Sequence, residues 1–217
     1  MNRSIPVVIF LGAPGSGKGT QAAYLAHERA IPRVSTGDML RQAVQEDSEL
    51  GRKVQTIMEE GRLVDDETVL NLVRERISRP DCRNGFILDG YPRNLSQAFQ
   101  LEQVLTPEMR LRALNIHVSD EEVVKRIGGR RTCPECERIY NVYFRPPNVD
   151  EKCDFDGATL SRRSNDDEVV IRKRLATYKK ETMPLIKHYQ EMSVLRVIQG
   201  MQSEDEVRKV VLEAVTF

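Results

Sequence analysis

Residues 12–20 read GAPGSGKGT, and these types at this spacing suit one chemistry, holding the oxygens of a phosphate. Glycines let a backbone wrap an anion with no Cβ in the way. N–H groups at a helix start, helped by the helix dipole, face negative charge. Lys18 adds a cation that can follow a phosphoryl group during transfer. The spacing Gly12-x4-Gly17-Lys18 fits the phosphate-binding loop. Gly19 departs from that pattern, since Ser or Thr commonly follows the lysine and here the hydroxyl comes one residue later, at Thr20. The alternative is an ordinary glycine-rich turn with a solvated lysine. The crowding of glycines, a proline and a lysine between strand and helix speaks against it.

Asp89 closes the apolar run Phe86-Ile87-Leu88 and precedes Gly90-Tyr91-Pro92-Arg93. Beside a phosphate loop, a strand-terminal Asp holds magnesium directly or through water; its other reading is a turn-capping Asp before glycine. Arginines recur at element boundaries and beside glycines: Arg41, Arg93, Arg126, Arg130, Arg131, Arg162, Arg163 and Arg174. The guanidinium fork pairs with phosphate oxygens and keeps its charge. Any one of them reads equally as a solvated or salt-bridged side chain; placement is what favours a phosphate role. Of Arg172-Lys173-Arg174, part can pair with Asp166-Asp167-Glu168 at i,i+4.

Cys133-Pro-Glu-Cys136 is a CxxC, and Cys153-Asp-Phe-Asp156 repeats its spacing with Asp in the last place. Two such knuckles predict a closed, structural tetrahedral Zn²⁺ site on Cys133, Cys136, Cys153 and Asp156. The surrounding insert has few large apolar residues, so a metal staple makes physical sense. Reduced cysteines with a hydrogen-bonded Asp, or a redox CxxC, are the alternatives. Cys82 lies outside the cluster, and His27, His117 and His188 form no readable constellation.

The elements that must position these groups alternate between strand and helix. That pattern predicts an α/β fold with a parallel sheet flanked by helices. Strands are expected at 7–11, 31–35, 86–89, 113–118 and 194–198. Helices are expected at 17–29, at 38–46 capped by Ser35 or Thr36, and at 49–60 stopped by Gly61. Asp65 and Asp66 cap a helix to 78; others span 96–105, 120–128 and 166–192, the last kinked at Pro184, and Ser203 caps the final one. Residues 130–165 break the pattern and read as a small β-rich insert.

With 217 residues, 40% apolar and 30% charged, the chain can bury one substantial α/β core. Its 33 basic and 33 acidic residues balance, which argues against nucleic-acid binding driven by bulk charge. No apolar run approaches the roughly 20 residues of a membrane span. No signal-peptide cleavage pattern is visible, so the cytoplasm is expected, where cysteines stay reduced or bind metal.

Taken together, the chain resembles the adenylate kinases, in particular their bacterial long form with a zinc-type lid. The resemblance covers essentially the whole chain. It is carried by GAPGSGKGT, Ser35-Thr36-Gly37-Asp38-Met39-Leu40-Arg41, Gly61-Arg62-Leu63-Val64, FILDGYPR ending at Arg93, Gln97, Arg126-Ile-Gly-Gly-Arg130-Arg131, and Asp166 with Arg174. Gly19, odd in a general phosphate loop, is what this family shows. The resemblance implies the P-loop NTPase fold and the reaction ATP + AMP = 2 ADP with Mg²⁺, serving adenine nucleotide homeostasis. It implies a core of 1–34, 65–130 and 166–217, an AMP-binding insert at 35–64 and a lid at 131–165.

By the same resemblance, Gly15, Ser16, Gly17, Lys18, Gly19 and Thr20 would hold ATP phosphates. Thr36, Arg41, Leu63, Val64, Gly90, Arg93 and Gln97 would bind AMP, with Gln97 reading the adenine edge. Arg126, Arg130, Arg163 and Arg174 would close on phosphates, Arg163 and Arg174 also serving AMP. Arg126 would stack on the ATP base, and Tyr140 and Gln202 would lie near it. Asp89 and Asp166 would order magnesium waters. Where the family commonly has two acids at the lid hinge, this chain has Asn165-Asp166, so only Asp166 carries over. A monomer acting on free nucleotides, without nucleic acid or membrane, is implied. Competing readings are a kinase for another nucleoside monophosphate or with GTP as donor, a zinc-ribbon nucleic-acid-binding NTPase, and a non-catalytic nucleotide sensor. Thr36 and Gln97 favour AMP as acceptor; neutral charge and few aromatics oppose the nucleic-acid reading; the intact Lys18, Asp89 and arginines oppose the sensor.

Overall fold

The computed structural model describes residues 4–46, 49–163 and 166–215. Asn165, singled out at the lid hinge, lies outside the described residues. The core is a sheet of five parallel strands: β1 (Ile5–Leu11), β2 (Arg33–Ser35), β3 (Phe86–Asp89), β4 (Met109–His117) and, last in the chain, β7 (Leu195–Gln199). Their order across the sheet is β2-β3-β1-β4-β7. β1 is central and buried on both faces, so it reads as a continuous apolar run. Its side chains alternate: Val7, Ile9 and Leu11 enter one core, Val8 and Phe10 the other.

Helices cover both faces. On the Val8 face lie α1 (Lys18–Arg29), α6 (Asp120–Gly128), α7 (Glu168–Thr177) and α9 (Glu204–Ala214), giving Leu25, Ile127, Leu175 and Val211. On the Val7 face lie α2 (Thr36–Gln45), α3 (Glu49–Glu59), α4 (Asp66–Ile77), α5 (Leu95–Glu102) and α8 (Pro184–Glu191), giving Leu40, Val54, Val73, Leu101 and Leu185. Capping follows the expected chemistry: Ser35 accepts from Asp38 N–H, Asp65 from Thr68 N–H, and Ser203 forms a capping box with Glu206.

β4 begins four positions before its expected start, because Arg110 and Arg112 alternate with apolar residues and still ladder to β1. The expected 166–192 helix is also divided. A π turn at Tyr178–Thr182 precedes Pro184, and Met183 N–H reaches back five residues to Tyr178 O at 2.9 Å. Pro184 brings no N–H and a bulky ring, so the chain takes up an extra residue just before it. The small antiparallel pair β5 (Arg130–Thr132) and β6 (Ile139–Asn141) stands apart from the main sheet. Among the described residues no helix is long and apolar enough to cross a membrane.

Register explains where the chemistry gathers. Asp89 is level with Phe10 of β1 and with Ser35 of β2. The three strands therefore end together, and each hands its next residues to the same edge. That edge, at the carboxyl ends of parallel strands, is where ligands bind in such sheets.

The loop after β1 is fastened from below by α6. A Cβ on Gly15 would stand 2.5 Å from Ile127 Cγ1, and its φ is +75°. Gly17 has a φ of +95° but nothing within 4 Å. Gly15→Ala is therefore expected to cost about 2–4 kcal/mol, clash added to backbone strain, and Gly17→Ala about 1–2 from strain alone. Denaturant unfolding of both variants checks this; equal losses would show that the α6 contact contributes nothing.

Candidate functional site

The loop after β1 is the floor of the site. Lys18, the first residue of α1, bends back to donate to Ala13 O at 3.1 Å. Ser16 is buried, and its Oγ has no hydrogen-bond partner among the described residues. A buried hydroxyl in a curl of backbone N–H groups is the cradle a phosphate oxygen would satisfy. Thr20 follows in the first turn of α1, half-buried.

Gly19 has a local reason. A Cβ there would lie 3.2 Å from Asp89 Oδ2 and 3.6 Å from the Arg33 guanidinium. A side chain at this position would need the Asp89 carboxylate to give by a few tenths of an ångström. Asp89 itself is buried, and its Oδ2 accepts from Arg33 Nε at 3.1 Å and Nη2 at 2.8 Å. The same Arg33 nitrogen donates to Asp38 Oδ2 at 2.8 Å, and Asp38 also pairs with Arg41. Arg33 and Asp38 thus link the Asp89 carboxylate to the arginine of the second helix. Neither was expected. Arg33 sits in a three-residue strand, and only the register of β2 against β3 shows where it points.

Thr36 Oγ1 donates to Gly90 O at 2.8 Å, and Arg93 Nε donates to the same oxygen at 2.8 Å. Gly90 has a φ of +80°, and a Cβ would stand 3.0 Å from both side chains. The Tyr91–Pro92 peptide is cis. Gln97 is buried, with its Oε1 accepting from Arg93 N–H and its Nε2 donating to Asp66 Oδ1, each at 2.8 Å. Val64 is buried nearby in the core and Leu63 half-buried.

Above the floor, Asp166 is fully buried and gathers arginines. Its Oδ2 accepts from Arg130 Nε at 2.8 Å, its Oδ1 pairs with Arg130 Nη2, and Arg174 Nη1 lies 3.5 Å from Oδ1. Arg162 donates to Asp166 O at 3.0 Å. Arg126 is held by Glu122 at 2.8 Å, donates to Gly200 O at 2.8 Å, and reaches Ser16 O at 3.4 Å. Its guanidinium stands 5.7 Å from the centre of the Phe144 ring. Gln202 is exposed just beyond Gly200.

The cations are too many for their carboxylates. Burial pushes Lys18 down to about 8, with Asp89 opposing and Arg93, Arg174 and Arg130 adding to the fall. Burial also lowers Arg163 and Arg174 to about 10, reinforced by Arg130 and Arg41 in both cases. Burial lowers Arg93 as well. Groups that perturb one another must share one field, so Lys18, Asp89, Arg93, Arg130, Arg163, Arg174 and Arg41 converge electrostatically. Such a site lacks anions and is built to receive them.

The family comparison settles what lineage this site belongs to. The adenylate kinase family model matches residues 10–194. The chain belongs to the adenylate kinase family. These are nucleoside monophosphate kinases, running ATP + AMP = 2 ADP. A curated adenylate kinase of Thermodesulfovibrio yellowstonii is 47% identical over 203 residues, covering 92% of this chain and 94% of that protein. Another, of Archaeoglobus fulgidus, is 45% identical over 205 residues, covering 93% and 94%. A third, of Acetivibrio thermocellus, is 42% identical over 212 residues, covering 96% and 97%.

Against that adenylate kinase frame, the cysteine cluster is a separate centre. Ligand atoms of Cys133, Cys136, Cys153 and Asp156 all lie within 4.8 Å of one another. Cys136 and Cys153 Sγ are 3.6 Å apart, and Cys133 Sγ lies 3.3 and 3.4 Å from the Asp156 oxygens. A tetrahedral Zn²⁺ with bonds of about 2.3 Å needs sulfur–sulfur edges of about 3.8 Å. The four residues fit such an ion, and the sulfurs are too far apart for a disulfide. Tyr140 packs into this centre: the ring is buried, its hydroxyl lies 3.4 Å from Cys153 Sγ, and it accepts from Asp154 N–H at 2.9 Å. Its ring thus shares a small core with Cys133, Cys153 and Leu160.

Lys18 offers a pH test. Its ammonium is lost as pH rises through about 8 in the ligand-free protein. kcat/KM for ATP is expected to fall across that range, roughly tenfold per pH unit above it. Lys18→Arg should keep a reduced but flat profile, since arginine does not titrate there. An inflection that survives in Lys18→Arg would assign the ionisation to another group. For folding the sign is opposite: this lysine's depressed value means stability from it rises between about 8 and its usual 10.5.

Proposed function

We propose that the chain transfers the terminal phosphoryl group of ATP to the phosphate of AMP across the edge where β1, β2 and β3 end. The observation that carries this reading is the convergence of Lys18, Arg93, Arg130 and Arg174 on one field, beside two carboxylates. One phosphate loop serves one nucleotide; a second set of cations beyond it serves another.

On the donor side, Gly15 to Thr20 hold the ATP phosphates, and Arg126 faces the adenine end, with Gln202 beyond it. On the acceptor side, Thr36, Arg41, Gly90 and Arg93 hold AMP, Leu63 and Val64 flank it, and Gln97 reads its base. An oxygen of the AMP phosphate forms a bond to the γ-phosphorus while the bond to the bridging oxygen breaks. That acceptor is already an anion, so no general base is needed. Lys18, Arg130, Arg163 and Arg174 stabilise charge on the moving group, which is where such catalysis mainly lies. Magnesium would supply charge screening for the donor phosphates. Asp89, assisted by Asp166, would hold that ion through water.

Residues 35–64 act as an insert closing over AMP and residues 131–165 as a lid closing over ATP. Both exclude water that would otherwise hydrolyse the donor. Gly61 ties the first of these segments to α7, which carries Arg174: Thr177 of α7 donates to Gly61 O at 3.2 Å, and the Arg174 stem lies 3.1 Å from where its Cβ would be. The knuckle of Cys133, Cys136, Cys153 and Asp156 holds Zn²⁺ as a structural staple of the lid, since four protein ligands leave no open position. The enzyme acts in the cytoplasm as a monomer on free nucleotides and takes no nucleic acid partner.

Two experiments test this. A coupled assay of ADP formation from ATP against AMP, CMP, UMP and GMP is expected to favour AMP by 100-fold or more, on the order of what one well-read base edge supplies. Preference for another acceptor defeats the assignment. Metal analysis of purified protein should find about one zinc per chain, and removal by chelator should lower the melting temperature. Metal-free protein with an unchanged melting curve would show the knuckle to be a cluster of thiols.

A further inference from the structure

Gln97 is an acceptor-side amide able to read a base edge by hydrogen bonds, yet an amide is nearly symmetric. Turned one way, it offers a donor to a ring nitrogen and an acceptor to an exocyclic amino group, matching the 6-aminopurine edge. Turned over by 180°, it offers an acceptor to a ring N–H and a donor to a carbonyl, matching a 6-oxopurine. A free glutamine therefore serves both classes of base. Something must fix its orientation if the site is to tell them apart.

The structure contains such a device. Asn94 is the N-cap of α5, its Oδ1 accepting from Gln97 N–H at 2.8 Å. This commits the Asn94 oxygen and turns its Nδ2 outward, where it donates to Asp66 Oδ1 at 2.9 Å. Asp66 is a carboxylate and can only accept. The same Oδ1 accepts from Gln97 Nε2, while Arg93 N–H, a fixed backbone donor, points at Gln97 Oε1. Each end of the Gln97 amide thus faces a group of the opposite kind. The flipped amide would set oxygen against carboxylate and N–H against N–H. Because Gln97 is buried, water does not soften that mismatch. Of its two hydrogens and two lone pairs, one of each is used, and one of each is left for a ligand.

We propose that Asp66 is a positioning residue that sets base selectivity at the acceptor site, by holding the Gln97 amide in the orientation that accepts 6-aminopurines and rejects 6-oxopurines. This rests on the reading that Gln97 faces the acceptor base. Asp66 read in the sequence as a second capping acid, but Asp65 is the N-cap and bonds Thr68 N–H, leaving Asp66 to turn toward Asn94 and Gln97.

The test compares kcat/KM for AMP with that for inosine monophosphate, whose base has the same shape with a ring N–H and a carbonyl. In Asp66→Ala the AMP-to-IMP ratio is expected to fall on the order of tenfold, the loss being mainly in KM for AMP. Asp66→Asn keeps a side-chain oxygen and should restore part of that ratio. A purely structural loss would reduce both substrates by one factor and leave the ratio unmoved, which would overturn the proposal. Gln97→Ala separates the two levels. If it collapses the ratio while Asp66→Ala does not, only the role of Asp66 falls. If Gln97→Ala leaves the ratio intact, the base is read elsewhere and the underlying reading falls with it.

Discussion

Two buried carboxylates make the rest of the site tolerable. Lys18, Arg93, Arg130, Arg163 and Arg174 crowd a poorly solvated cleft, and burial, reinforced by their mutual repulsion, lowers Lys18, Arg163 and Arg174 together. Breaking a buried ion pair by removing its carboxylate leaves an uncompensated charge, which is more costly than never having built the pair. Asp166, holding Arg130 and Arg174, and Asp89, holding Arg33 beside Lys18, keep that cost within what the two cores can bear. The compensation is incomplete by design. The remaining positive charge is the driving force for taking up polyphosphate.

That arrangement depends on strand register. Asp89 faces the loop only because β3 is level with Phe10 of β1, and it meets Arg33 only because β2 is level with β3. The apolar alternation of β1 that feeds both cores also fixes which face each helix covers. A slip by one residue would reverse the faces and take the carboxylate away from Gly19. Packing in the sheet and electrostatics at its edge are one constraint seen at two ends.

Much of this was legible in the residues. The glycine loop, the strand-terminal Asp89, the boundary arginines and the paired knuckles each carry local chemistry in a short spacing, and each element found its place within a few positions. What stayed hidden needed long-range geometry. Arg33 looked like one more charge on a short strand, and its role exists only across two register contacts. Asp66 was legible as a helix-start acid but not as a partner of Gln97, which lies one helix away. Tyr140 was singled out from likeness, and its contact with Cys153 appears only once the knuckle is folded. The π turn before Pro184 followed a known exclusion, but the sequence does not say whether a proline bends a helix or forces a bulge.

Gly19 carries a consequence of a different kind. Its missing Cβ and the Asp89 carboxylate share one small volume, 3.2 Å apart. The two positions are therefore not free to vary separately. A lineage that restored the usual hydroxyl after the lysine would need the acid at the end of β3 to give by a few tenths of an ångström, and the grip of Arg33 to adjust with it. The loop and the neighbouring strand therefore adjust together, and the cost of a substitution in one is set by how far the other yields.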